Sequence, residues 1–221
     1  RRGVSSIGGP DTALVGVTNG IGQGTTAAPV LWQAGATVRL PVFSSYFLGP
    51  ACASRVQPNG DVAISGFSNT GGGLPRWLML RHTGGVPGTD TVLSEATASG
   101  SLFAELTCTP GLTSNSLAPD GGIAGSVTDA DRRRTAAYWN AANERTTIPL
   151  AAGERAASGV AVASGGRMVI LAEADDGSTS LSLWHHGVRT PLPAPRGFTV
   201  ASVVELTEAG LLVANLRDAA G

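Results

Sequence analysis

Short oxygen- and amide-bearing side chains recur along this chain at turn-like positions: Asn19, Asn69, Asp129 with Asp131, Asp175 with Asp176, and Asn215 with Asp218. Each set follows an apolar strand-like run, so repetition would bring them to one end of the fold as a ring. A ring of carboxylates and amides could hold the hydroxyls of a sugar. It could also hold a hard cation such as Ca2+, which takes several oxygen ligands. Turn chemistry competes with both readings, because Asn-Gly, Asp-Asp-Gly and Asn-Thr-Gly-Gly are what tight hairpins use in any case. It explains the residues without a ligand, so no cofactor is required and Ca2+ is merely accommodated.

Aromatic residues form the second series. Trp32, Trp139 and Trp184 each close a run of apolar or small residues. Recurring indoles can stack on the apolar face of a pyranose, but a large ring that follows apolar residues is also suited to fill the gap between packed sheets. Core packing is the simpler account. Trp77 follows Pro75-Arg76 and breaks the register of the others, which makes it the more exposed aromatic and a candidate ligand platform.

Groups for catalysis are sparse. No Gly-x-Ser-x-Gly elbow, His-Glu-x-x-His helix, phosphate-binding glycine loop or Cys-x-x-Cys occurs. His185 and His186 are adjacent, so on a continuous strand they point to opposite faces and do not chelate together. His82 is the third histidine, in a different repeat unit. Same-face carboxylates such as Glu173 and Asp175 are present, yet nothing selects the pair a glycosidase needs. Arg132-Arg133-Arg134 forms a local cationic run beside Asp129 and Asp131, fit for a solvated loop or an anion contact. Cys52 and Cys108 lack metal-type spacing and read as one disulfide of an exported chain. No catalytic residue and no metal site is assigned.

Composition bounds the partners. Charged residues make up 14% of the 221 residues, against about 25% in an ordinary soluble domain. Formal net charge is −1, so no bulk field draws the protein to nucleic acid or anionic lipid. No apolar run is long enough to span a bilayer as a helix. All 15 basic residues are Arg, the usage of a high-GC bacterium. The opening Arg1-Arg2-Gly3, without Met or an apolar leader, reads as a processed or trimmed start.

The elements that would position these residues repeat. Ala13–Asn19, Pro29–Gly35 and Val38–Pro41 line up with Gly122–Asp129, Ala136–Asn140 and Thr147–Leu150. They line up again with Met168–Glu173, Leu181–Gly187 and Arg189–Leu192. A looser copy runs from Asp61–Phe67 through Trp77–Leu80 to Val92-Leu93, with Leu80 at the Trp position. A fifth begins at Gly210–Asn215. The Trp-position residues 32, 80, 139 and 184 are 48, 59 and 45 residues apart. Gly (31) and Pro (13) are plentiful, as many short strands and turns require. The expected fold is therefore all-β. It is a β-propeller of four to five blades, each a four-stranded repeat of about 45–60 residues. The units cover about 3–42, 54–93, 112–150 and 159–192, with a partial unit at 199–218. Asp129–Arg145 is the one stretch where an Ala- and Arg-rich helix competes with the expected hairpin.

The strand, hairpin, apolar-Leu-Trp and Leu-Pro order of residues 28–35, 136–139 and 181–187 resembles the HAF-type extracellular repeats of bacteria. The naming His-Ala-Phe triplet is absent, its place taken by Ala28-Pro29-Val30, Thr135-Ala136-Ala137 and Ser180-Leu181-Ser182 in the clearest copies. The resemblance implies export and a propeller, and implies no catalytic residues.

These readings converge on a secreted bacterial module, non-catalytic, that binds a glycan or a protein partner through loops on one face. The alternatives are a structural or targeting domain of a larger assembly, and a polysaccharide-acting glycosidase. Because the fifth copy holds only its opening strands, other domains or chains are expected to complete the propeller.

Overall fold

A computed structural model describes residues 2–9, 12–19, 26–33, 35–39, 52–68, 76–84, 89–97, 115–129 and 131–218. For 2–9, 13–19, 26–30, 37–39, 52–53, 65–68, 76–78 and 95–97 it describes the backbone alone. Every described element is a β-strand, and the strands form five small antiparallel sheets in two compact units, Arg1–Thr113 and Ser114–Gly221.

In the first unit, sheet 1 comprises β1 (Arg2–Gly9), β2 (Thr12–Asn19), β3 (Thr26–Gln33) and β4 (Ala36–Arg39). Sheet 2 comprises β5 (Cys52–Ala53), β6 (Val62–Ser68), β7 (Arg76–Thr83) and β8 (Thr89–Thr97). Each strand pairs with the next in sequence, so both sheets are simple meanders. Leu31 of sheet 1 packs with Val56, Val62, Ile64 and Leu80 of sheet 2 in one buried cluster. Two polar links tie the same sheets at one end. The Thr12 hydroxyl donates to Pro58 O at 3.0 Å, and Gln33 Nε2 donates to Asn59 O at 2.8 Å.

In the second unit, sheet 3 contains β9 (Ile123–Thr128), β10 (Arg134–Trp139) and β11 (Arg145–Ile148), with a single Leu117–Ile123 bridge ahead of β9. Sheet 4 contains β12 (Glu154–Ala163), β13 (Arg167–Ala174), β14 (Thr179–His185) and β15 (Val188–Leu192). Sheet 5 is the two-stranded pair β16 (Phe198–Leu206) and β17 (Leu212–Asp218). Sheet 4 is covered on both faces. Met168, Ile170, Ala172 and Trp184 pack with Ala136 and Ile148 of sheet 3, whereas Val169 and Leu181 pack with Val200 and Leu206 of sheet 5. Burial on both faces explains why Met168-Val169-Ile170-Leu171 is an unbroken apolar run.

The register carries the repeat. Trp32 pairs with Ala13, Leu80 with Ile64, Trp139 with Ile123 and Trp184 with Met168, always between the second and third strands of a meander or their equivalents. The first strands β1, β12 and β16 each carry bulges against their neighbours, which deepens local twist. Tight turns ahead of the next strand recur at Gly60, Gly121 and Gly210, with φ of 91°, 84° and 84°. In each, the glycine N–H donates to a carbonyl three residues back. That conformation is strained for any residue with a Cβ, so glycine is required there.

The described residues of 129–145 form hairpins around β10, with no helix among them. Arg134–Trp139 is buried along much of its length and pairs on both edges, and that tertiary pairing outweighs the high intrinsic helix propensity of Ala and Arg.

Candidate functional site

Asp129 begins the hairpin between β9 and β10 and organises it. Its Oδ1 accepts the Arg133 backbone N–H at 2.8 Å and its Oδ2 accepts Arg133 Nε at 3.1 Å. Arg133 Nη2 also donates to Asp131 Oδ2 at 3.2 Å. Arg133 holds the Asp129 carboxyl below its ordinary value, chiefly through its backbone N–H. The Asp175–Ser178 hairpin of sheet 4 follows the same logic, with Asp176 Oδ1 accepting the Ser178 N–H at 2.8 Å. Turn chemistry therefore accounts for Asp129 and Asp176, while Asp131 and Asp175 are placed by the hairpins those residues shape.

The two hairpins lie at the same end of adjacent sheets. Glu173, at the end of β13, bridges them: Arg134 of β10 approaches it at 3.7 Å and Arg155 of β12 also donates to it. Beside the first hairpin, the connection from β11 to β12 bounds an open cleft of about 480 Å3. Asp129, Arg133 and Glu154 supply its charge, and Thr135, Thr147, Pro149 and Leu150 are among its walls. The volume falls within the range of small-molecule sites.

Glu154 is the cleft residue that sequence reasoning missed. Its Oε2 accepts the Ala151 N–H at 2.8 Å and Arg189 Nη1 at 2.8 Å, and its Oε1 accepts Arg189 Nη2 at 2.6 Å. Arg189 Nε donates in turn to Ser182 Oγ at 2.6 Å. Burial raises the Glu154 pKa, but the Arg189 and Ala151 hydrogen bonds and the Arg189 charge outweigh it, leaving the group below its ordinary value. Arg189 opens the Arg189–Leu192 segment of its repeat copy, yet no local spacing ties it to a residue thirty-five positions earlier.

The other sequence-predicted residues divide. Asn215 lies inside β17 instead of in a hairpin, and its Nδ2 donates to Ser202 Oγ at 3.0 Å. β17 extends to Asp218, three residues past the aligned copy, so Asn215 leaves the expected ring. Asn19 ends β2 opposite Thr26, and Trp77 sits in β7 opposite Phe67, with the side chains of both outside the described residues. Asn69 lies outside them altogether. Cys52 lies in β5, but Cys108 is outside the described residues, and so is their pairing.

Trp139 is fully buried and Trp184 is 7% exposed, whereas Trp32 is half-buried. Trp184 faces sheet 3, its ring 5.5 Å from that of Tyr138. Core packing is thus the role of the two buried indoles.

One expectation about the histidines is overturned. His185 ends β14, and His186 occupies the following turn at φ 49° beside Gly187 at 83°. Strand alternation stops at His185, so the two rings come together with centroids 4.0 Å apart. Among the described residues, no group of three or more His, Cys, Asp or Glu is arranged to hold a metal ion.

No protein family, curated protein or solved structure matches the chain.

Proposed function

We propose that this chain is a non-catalytic, exported bacterial carbohydrate-recognition module built on propeller-type blades, and that the cleft between sheets 3 and 4 takes a sugar residue. The cleft lined by Asp129, Arg133 and Glu154 carries this reading. Carboxylates accept hydroxyl protons and guanidinium groups donate, so mixed pairs at a cleft rim can match the donors and acceptors of neighbouring sugar hydroxyls. The blade reading draws on four-stranded meanders that follow one another in sequence with a common register at the Trp position.

A glycosidase is disfavoured by the same residues. Its general acid needs a raised pKa. Asp129 and Glu154, the two carboxylates of the cleft, are both held below their ordinary values.

A glycan array followed by calorimetry tests the proposal. Binding of at least one oligosaccharide is expected, and Arg133→Ala should weaken it by about ten-fold or more without unfolding the protein, as loss of one charge-assisted contact implies. Absence of glycan binding, or binding indifferent to Arg133→Ala and Asp129→Ala, overturns it.

A further inference from the structure

We infer that the outer edge of β17 is a self-association surface, at which two copies of this chain pair antiparallel about a two-fold axis to form a four-stranded sheet. The inference goes beyond carbohydrate binding and does not depend on it.

Three observations carry it. Sheet 5 has two strands where sheets 1, 2 and 4 have four, and no described strand pairs with the outer edge of β17. That edge presents a row of backbone donors and acceptors, the usual template for adding a strand. Apolar exposure is also concentrated on sheet 5. Among the described residues, five of the seven exposed large hydrophobics belong to its two strands or the turn between them: Phe198 and Val204 of β16, Leu211 of the turn, and Val213 and Leu216 of β17, with Leu211 at 67% and Val213 at 48%.

The edge also lacks the residues that keep edges apart. Natural outer strands are blunted by charge or proline. β4 carries Arg39, β8 carries Asp90 and Glu95, β11 carries Arg145, and β15 carries Arg189 and Pro191. β17 has only Arg217 and Asp218 at its far end, leaving Leu212–Leu216 uncharged and free of proline.

A second copy is the occupant these features fit. A strand that meets itself across a two-fold axis is antiparallel by symmetry, like every described pairing in the molecule. Centring the axis on Asn215 pairs all seven residues of β17. It sets Arg217 opposite Val213 and Asp218 opposite Leu212, so no like charges face each other. The product, β16-β17-β17-β16, has four strands, as sheets 1, 2 and 4 do.

Sedimentation velocity across a wide concentration range tests this, with hydrogen exchange of β17 amides followed on the same samples. A reversible dimer is expected, with the β17 amides exchanging more slowly as it forms. Val213→Lys should weaken the dimer by about ten-fold or more. Val188→Lys, a change at a still more exposed valine on β15, should leave it intact. A monomer at every concentration overturns the inference, as does β17 protection that does not change with concentration. A dimer insensitive to Val213→Lys, or equally sensitive to Val188→Lys, also overturns it.

Discussion

Glu154 and Arg189 form a bidentate ion pair, 12% and 19% exposed, joined by two hydrogen bonds and backed by Ser182 and Ala151. Removing one partner leaves the other desolvated, so Glu154→Gln should lower stability by about 1–2 kcal/mol in urea titrations. The cost stays below that of a fully buried pair because the cleft admits water. The pH dependence follows from the direction of the shift. The folded-state pKa of Glu154 lies below its ordinary value of 4.5, so ionisation stabilises the fold above that pH. That contribution fades as pH falls through the depressed value. Urea midpoints for the unmodified protein should therefore drop more steeply in this acid range than those of Glu154→Gln. Parallel curves would count against the assigned role of the pair.

Indole burial sets a second prediction at this scale. Trp139→Ala and Trp184→Ala each empty a buried position and should cost about 3–5 kcal/mol. Trp32, half-buried on the face of sheet 1 turned away from its Leu31 contact with sheet 2, should cost clearly less. Equal losses at all three would mean that Trp32 is as enclosed as the others.

Among the elements, the close approach of β12 to β9 is held open by glycine. A Cβ on Gly159 would lie 2.5 Å from Met168 Sδ, 3.0 Å from Gly125 N and 3.1 Å from Gly125 O. Met168 can swing aside, but the Gly125 backbone cannot move without disturbing its ladder with β10. Gly159→Ala is therefore expected to destabilise the second unit by about 1–3 kcal/mol, read as a lower unfolding midpoint with an unchanged m-value. At Gly153, where nothing lies within 4 Å of the built Cβ but φ is +82°, alanine should cost only the backbone strain, about 1 kcal/mol. The turns that join strands also join sheets. Asp120 Oδ2 accepts the Gly165 N–H at 2.7 Å, and both carboxylate oxygens of Glu208 lie 3.1 Å from the Ser164 N, which places turns of sheets 3, 4 and 5 side by side.

At the scale of the molecule, each described unit repeats one packing rule. Leu80 of sheet 2 turns toward sheet 1, and Trp184 of sheet 4 turns toward sheet 3, so the Trp position meets the sheet that precedes it in sequence. Among the described residues, exposed large apolar side chains gather on the strands of sheet 5 and the turn between them. The proposed recognition cleft and the proposed self-association edge fall on different parts of the second unit, the charged hairpin end of sheets 3 and 4 and the outer edge of sheet 5. Val213→Lys should abolish self-association while leaving sugar affinity within about two-fold of the unmodified protein, because additivity holds for distant sites.

The all-β character and the register at the Trp position were legible in the order of residues because they are local and periodic. Apolar runs, turn glycines and a Trp at one fixed position recur in every clear copy, and β-strand alternation converts such steps directly into faces. The hairpin roles of Asp129 and Asp176 were legible for the same reason, since an Asp capping its own turn needs partners only two to four residues away. Long-range events were not legible. Glu154 meets Arg189 only after β12 and β15 are placed at opposite sides of one sheet, and the cleft exists only once the β11–β12 connection lies beside the β9–β10 hairpin. Asn215 left the predicted ring because β17 continued three residues further than its copies. His185 met His186 because a strand ended between them. In each case the deciding quantity was where a strand stops or which sheet lies opposite, and packing free energy sets both across separations that no short pattern spans.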